Sequence, residues 1–329
     1  MFRPRALAIL CLAGLALSCG SRPALLPTAP AVTGAQVAAN YLNELVDKIS
    51  TNSFKRQQID WTAFRAAVLK AGEGAQSIAD TSPAILHALT LLADGHSSYT
   101  GTNGTGQFFR VRTCTASGAP KPDVPSDIGY VKVTAFSGSG AAATAFADSI
   151  QTQIQTADRD GLAGWIVDLR GNGGGNMWPM LAGLSSLFGD SVVGHFVFPN
   201  GVTSNWEIRG NSSFSGGFHS ASTSSAYSLR RTAPRIAVLV DNGIASSGEA
   251  TFIAFRERPN TRSFGVATCG LSTSVAAFSM SDSATLRLAT GLMADRNRLA
   301  FGEQVAPDEV VGDVVNEAVE RAIGWLRGS

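Results

Sequence analysis

The sequence has no excess of charge of one sign and few of the residues that bind metal ions. Its 329 residues carry 26 Lys and Arg against 25 Asp and Glu, a formal net charge of +1, and no segment gathers the basic residues. This balance argues against a nucleic-acid partner. Only four cysteines and four histidines are present. Because they show no CxxC or HExxH spacing, we expect neither a metal site nor a cofactor.

The N-terminal region also lacks an apolar run long enough to span a bilayer. Residues 1–19 instead combine a basic start, an uncharged stretch from Ala6 to Leu17 and small residues around Cys19, which predicts a secretory signal peptide. Ala16–Cys19 is similar to a bacterial lipoprotein cleavage box, and Cys19 would then be the lipidated first residue. The alternative is ordinary cleavage, with Cys19 lost or idle. Residues 20–34, rich in Pro, Ala and Ser, are predicted to be a linker.

Export would leave two further cysteines, Cys114 and Cys269, in the mature chain. In an oxidising compartment they could form a disulfide, or they could stay as two buried thiols. The sequence leaves both possibilities open.

Beyond the linker, the apolar pattern predicts an α/β fold. Helical spacing runs from Val37 to Ile49 and again after Asp60, a predicted N-cap. A third helix over 83–92 is apolar nearly all round, so we expect it to be buried, and Gly95 is expected to terminate it. From Ile128 onward strands and helices alternate, which indicates a sheet with helices packed on it. We therefore predict a helical subdomain over 35–100 and an α/β core over 101–329.

A glycine run, Asp168–Asn176, directly follows a strongly apolar strand. It lacks the Lys-Ser/Thr of a P-loop, and Asn176 stands where a GxGxxG motif needs its third glycine, so nucleotide binding is disfavoured. Bare backbone could instead let a substrate approach closely and direct an N–H at a developing oxyanion. A purely structural turn is the alternative.

Two further polar segments carry candidate reactive groups. His96 lies in a short polar loop after the third helix, where it could act as a general base, although a surface loop histidine is the alternative. Ser246 lies where an apolar strand is predicted to turn into a helix, a position that suits a nucleophile. A plain N-cap serine, with Glu249 completing a capping box, is the competing interpretation.

Several ordered motifs resemble the catalytic core of the C-terminal processing (tail-specific) serine peptidases. That resemblance implies a crotonase/Clp-like spiral of ββα units. The lysine of the tail-specific dyad is replaced by Leu271, and too few residues separate His96 from Ile128 for a PDZ domain. The chain is therefore similar to the PDZ-less branch that includes the tricorn core and the nisin-resistance peptidase. The motifs are Trp165–Gly175, Ala245–Glu249, Gly265–Thr273, Thr290–Arg296 and Val305–Asp308.

The resemblance also implies roles for individual residues. Ser246 would be the nucleophile and His96 its base, with the N–H groups of Ser247 and of Gly174 or Gly175 as the oxyanion hole. Glu249 would orient His96 or the helix start, and Glu303 is a second candidate acid.

The implied protein is an exported serine endopeptidase without a cofactor, acting on peptides or unfolded chains. It would lie in the bacterial cell envelope, facing the periplasm or the exterior and tethered to a membrane if Cys19 is lipidated. The alternative is a non-catalytic binder of apolar ligands or peptides on the same fold. The sequence contains no pattern that indicates the cleavage specificity or the oligomeric state.

Overall fold

The computed structural model describes residues 33–109 and 113–328. The predicted signal peptide, Cys19 and nearly all of the predicted linker lie outside these residues. Within the described part of the chain, no helix is both long and apolar enough to cross a bilayer.

Eight α-helices and thirteen strands make up this part of the molecule. The helices are α1 (Gly34–Asn52), α2 (Trp61–Ala71), α3 (Ser82–Leu92), α4 (Gly140–Ala157), α5 (Met177–Gly183), α6 (Ser185–Phe188), α7 (Ser247–Phe255) and α8 (Glu317–Arg327). The strands are β1 (Ser98–Thr100), β2 (Gly106–Phe108), β3 (Ile128–Lys132), β4 (Gly164–Asp168), β5 (Ser191–Val197), β6 (Thr203–Arg209), β7 (Ser212–Ser215), β8 (Phe218–Ser222), β9 (Ile236–Val240), β10 (Thr261–Gly265), β11 (Thr273–Ser279), β12 (Thr285–Ala294) and β13 (Glu309–Val310).

One sheet is parallel and central. Its strand order is β13-β10-β9-β4-β3, and every neighbouring pair is parallel. All residues of β4 and β9 are buried, as expected of strands covered on both faces. The carboxyl ends of β4 and β9 lie side by side, so the loops that follow them meet at one edge of the sheet.

The second sheet is antiparallel and runs β2-β1-β12-β5-β6-β7-β8, with β11 paired to the other side of β12. It includes β7 and β8, which lie in a Ser-rich segment of the chain. Backbone pairing with neighbouring strands, rather than an alternation of apolar residues, defines β7 and β8. The main apolar core lies between the two sheets and includes Trp165, Trp206 and Phe255.

The helices α1, α2 and α3 share an apolar cluster with β12, through Leu286 and Leu288. Asp60 caps α2 as predicted, accepting from the N–H groups of Thr62 and Ala63. The expectation that α3 is buried all round is wrong, because only one of its faces packs and Leu86 stays 44% exposed. Its left-handed terminator is Ala93, with φ of 46°, rather than Gly95.

Candidate functional site

The candidate site forms where the loops after β4 and β9 meet. The glycine run follows β4, and the segment Asp241–Ser246 follows β9. The buried carboxylate of Asp241 joins the two loops, because one oxygen accepts from the backbone N–H groups of Gly171 and Gly243 at 2.8 and 3.0 Å. Its other oxygen accepts from the N–H of Ser117 at 2.8 Å, which adds a third loop.

Asp168, at the end of β4, is a structural residue of the glycine run. Its fully buried carboxylate accepts two hydrogen bonds from the Arg170 guanidinium, at 2.9 and 2.8 Å, and lies 3.1 Å from Lys132 Nζ. Burial acts to raise the pKa of Asp168, but the hydrogen bonds from Arg170 and the charge of Lys132 outweigh it and lower that pKa. The ionised carboxylate therefore fixes the first residues of the run.

Ser246 occupies a strained turn at the start of α7. Its φ of 53° and ψ of −118° place a non-glycine residue in a conformation that side chains rarely adopt. The Ser246 N–H donates to Glu249 Oε2 at 2.9 Å, as in a capping box. The residue is partly exposed, whereas Ser247 and Gly248 are buried. The backbone thus presents Ser246, and not its neighbour Ser247, to the solvent side of the turn.

Glu249 is fully buried, and both of its carboxylate oxygens accept hydrogen bonds from backbone and hydroxyl donors. Besides the Ser246 N–H, it accepts from Thr268 Oγ1 at 2.5 Å and from the N–H groups of Gly270 and Leu271 at 2.8 and 2.7 Å. Burial raises the pKa of Glu249, although all four hydrogen bonds oppose the rise. Of the two roles expected for Glu249, these contacts match the helix start and not the orientation of His96.

The glycine run packs directly against the Ser246 turn. A Cβ built on Gly174, which has φ of 99°, would lie 2.6 Å from the Ala245 carbonyl oxygen and 2.9 Å from Ser246 Cβ. Only glycine fits this approach. Ser247 Oγ donates to the Gly175 carbonyl at 2.6 Å, which ties the start of α7 to the run.

The two glycines considered for the oxyanion hole differ in what their N–H groups do. The N–H of Gly174 donates to Asn172 Oδ1 at 3.0 Å. Among the hydrogen bonds of residues 33–109 and 113–328, none uses the N–H of Gly175 or of Ser247. Within the described residues, these two N–H groups therefore have no hydrogen-bond acceptor.

His96 reaches the site from the loop between α3 and β1. Asp94 shapes this loop by accepting from the N–H groups of His96 and Ser97 at 2.9 and 2.7 Å. β1 then pairs with β12, whose other edge carries β11. That pairing brings Thr273, the first residue of β11, to His96: the distance from Nδ1 to Thr273 Oγ1 is 2.7 Å.

The environment of His96 favours the neutral form of its imidazole. Burial lowers the pKa of His96, and the negative charge of Asp94 opposes this shift only in part. Within the described residues, no hydrogen bond joins His96 to Ser246 or to Glu249. Hydrogen bonds between catalytic groups often tighten only in the substrate complex.

Two cavities flank these groups. The larger, of about 820 Å³, contains His96 and Glu303 and is called here the His96 cavity. The smaller, of about 430 Å³, contains Ser246 and Thr273 and is called the Ser246 cavity. Thr273 thus lines the cavity of Ser246 and contacts the histidine of the other cavity. The apolar part of the Ser246 cavity is formed by Met177, Trp178, Phe196, Val275 and Met293.

Cys114 and Cys269 form a disulfide, with their Cα atoms 5.0 Å apart. Both residues line the His96 cavity. The bond therefore fixes the loop that contains Cys114 next to Cys269, whose neighbours Thr268 and Gly270 are held by Glu249. The sequence left open a disulfide or two free thiols, and the structure contains the disulfide.

A sequence profile of peptidase family S41 matches residues 127–311, more than half of the chain. The chain belongs to peptidase family S41. It is therefore a serine-type peptidase, as the motifs predicted, and its expected substrates are peptides or proteins.

Several known proteins resemble the chain over most of its length. The nisin-resistance protein of Lactococcus lactis subsp. lactis is 26% identical over 269 residues, which are 82% of this chain and 80% of that protein. A lipoprotein structure from Streptococcus agalactiae has a TM-score of 0.68 at 21% identity and covers 93% of this chain and 99% of its own. The photosystem II D1 C-terminal processing protease has a TM-score of 0.54 at 15% identity, with coverages of 87% and 97%.

These likenesses confirm the predicted fold class, a mixed α/β peptidase fold with a small N-terminal helical part. The segment between β1 and β3 contains only β2 and loops in the part that the structure describes, with no PDZ domain. In this S41 peptidase, the structure places the predicted glycine run against Ser246, and it places His96 against Thr273, a residue that sequence reasoning had not singled out. Thr273 closed one of the recognised motifs, yet only the pairing of β1, β12 and β11 reveals its contact with His96.

Proposed function

We propose that the protein is an exported serine endopeptidase that hydrolyses peptide bonds through Ser246 and His96. The observation that carries this proposal is the strained, partly exposed Ser246 turn, which contacts the glycine run. Beside it, the N–H groups of Ser247 and Gly175 donate to no group of the described residues. A serine that only capped a helix would need neither the strained φ nor the close glycine contact.

In the proposed reaction His96 removes the Ser246 hydroxyl proton while Oγ attacks the substrate carbonyl carbon. The tetrahedral intermediate collapses as the carbon–nitrogen bond breaks, and His96 returns the proton to the leaving amine. Water then attacks the acyl-enzyme ester with His96 again as base, which releases the acid product and restores Ser246.

The proposed oxyanion hole consists of the N–H groups of Ser247 and Gly175. Gly174 is the less suitable of the two glycine candidates because its N–H already donates to Asn172. Donors of this kind contribute on the order of 10² to 10³ in turnover when they are fixed in advance. The bond from Ser247 Oγ to the Gly175 carbonyl supports that fixation.

We propose that Thr273, rather than an acidic side chain, orients His96. With Nδ1–H donating to Thr273 Oγ1, Nε2 is left as the proton acceptor for Ser246. Glu249 positions the nucleophile through the Ser246 N–H. Glu303 lies in the His96 cavity and remains the candidate for a second acid.

Export and attachment to the cell envelope by a lipid on Cys19 are part of the proposal. A disulfide between Cys114 and Cys269 suits an oxidising compartment. One similar solved structure is described as a lipoprotein. Metabolic labelling with a palmitate analogue tests the anchor, because Cys19→Ala should abolish the label.

The catalytic proposal is tested by labelling with an alkyl fluorophosphonate, together with cleavage of a panel of peptides. The panel includes nisin because a curated relative is named for resistance to it. Ser246→Ala should abolish labelling, and His96→Ala should slow it on the order of 10² to 10⁴. His219→Ala is the matched control, since His219 is an exposed histidine on β8.

Labelling that persists in both Ser246→Ala and His96→Ala would contradict the assignment of Ser246 as nucleophile and His96 as base. Peptide binding without any labelling of the wild-type protein would instead favour the non-catalytic binder.

A further inference from the structure

β11 is an exposed edge strand that begins at the candidate catalytic site. It pairs with β12 along one side, and among residues 33–109 and 113–328 no strand pairs with its other side. Its first residue, Thr273, contacts His96. The next two, Ser274 and Val275, line the Ser246 cavity.

The sequence of β11 leaves this edge open to another chain. Thr273–Ser279 contains no charged residue and no proline, the devices by which proteins usually protect an edge strand. Val275, Ala277 and Ser279 are exposed. The only local protection is a register shift between Ser274 and Val275.

We propose that the peptide substrate docks as an added strand along the free edge of β11. Backbone hydrogen bonds to β11 would hold an extended chain whose scissile bond lies at Ser246, beside Thr273. The seven residues of β11 span roughly 20 Å, enough to pair with several substrate residues. Such pairing selects unfolded or extended chains with little regard to side chains. This inference rests on the proposed peptidase function.

The occupant is a substrate peptide because the edge is continuous with the reacting groups. A strand from a second copy of the protein would cover the approach to the Ser246 cavity at Thr273–Val275. Self-association through β11 is therefore a competing outcome that the experiment must detect.

The first test uses peptide diphenyl phosphonates, which label a reactive serine only after the peptide has docked. Each amide nitrogen of the peptide is methylated in turn, and the second-order rate constant of labelling is measured. Because alternate amides of a strand face the same edge, we expect losses of about tenfold at every second position and small losses between them. Equal losses at successive positions, or none, would overturn the proposal.

The second test compares Ala276→Pro with Ala277→Pro. Adjacent residues of a strand direct their N–H groups to opposite edges, so one variant loses a bond to β12 and the other loses an outward donor. The variant that loses the outward donor should keep the wild-type melting temperature. We expect that variant to react at least tenfold more slowly with the peptide phosphonate and normally with the alkyl fluorophosphonate.

Each outcome has a distinct meaning. If the alkyl probe fails to label the wild-type protein, the proposed function fails. If the alkyl probe labels normally and the stable proline variant reacts with the peptide as fast as wild type, the docking proposal fails. It also fails if gel filtration shows that this variant only dissociates a dimer while its peptide rate is unchanged. If both variants unfold, the methylation series decides.

Discussion

At the scale of single residues, Thr273 tests how His96 is oriented. Thr273→Val keeps the shape of the side chain but removes the oxygen that lies 2.7 Å from Nδ1. We expect kcat to fall about 10- to 100-fold with little change in KM, because the base would lose its orientation and not its substrate. Thr273→Ser retains the hydroxyl and should restore most of the rate. A Ser variant as slow as the Val variant would show that packing, rather than the hydrogen bond, is what matters.

Burial and the opposing charge of Asp94 together set the pH dependence expected of His96. A general base works when it is neutral, so activity should rise with pH through the pKa of His96. Since burial lowers that pKa, the rise should lie below the ordinary histidine value of about 6.5. Asp94→Asn keeps an oxygen for the loop N–H groups but removes the charge that stabilises the imidazolium. The acidic limb of kcat/KM should then move to still lower pH. A limb that stays in place or moves up would contradict the assignment of His96 as the base.

At the scale of elements, the glycine run is specific at one position and tolerant at its neighbour. A Cβ on Gly174 would collide with the Ser246 turn, whereas a Cβ on Gly173 meets nothing within 4 Å. Gly174→Ala should therefore lower the melting temperature by several degrees and abolish fluorophosphonate labelling, since it displaces Ser246 and Ser247. Gly173→Ala, the matched control, should melt like the wild-type protein. If the two variants had the same melting temperature, the glycine run would not be packed against α7.

The elements also show what sequence alone could predict. Helical spacing and the Asp60 cap located α1 and α2, and apolar runs located β4 and β9, because burial on both faces leaves a strong local pattern. Local pattern alone could not predict β7 and β8, since more than half of their residues are Ser, and their order comes from the pairing of β7 with β6 and of β8 with β7. The burial of α3 was overestimated because composition does not tell how many neighbours a helix has.

At the scale of the whole molecule, the site depends on contacts between distant parts of the chain. The capping contact between Ser246 and Glu249 was predictable because the two residues are close in sequence. Thr273 lies 177 residues from His96, and no local pattern records the sheet pairing that unites them. For the same reason the sequence could not distinguish the two roles of Glu249, which depend on where the loop at 268–271 lies.

The disulfide is the longest covalent constraint in the described part of the molecule, because it joins residues 155 positions apart. Reducing it should lower the free energy of unfolding by about 2 to 5 kcal/mol, as a long loop regains freedom in the unfolded chain. Peptide cleavage should fall more than alkyl fluorophosphonate labelling, since Cys114 and Cys269 line the His96 cavity but do not contact Ser246. Urea denaturation with and without dithiothreitol measures the first effect. The double variant Cys114→Ser, Cys269→Ser should resemble the reduced protein and ignore the reductant; if reductant still changes its stability, the effect does not come from this bond.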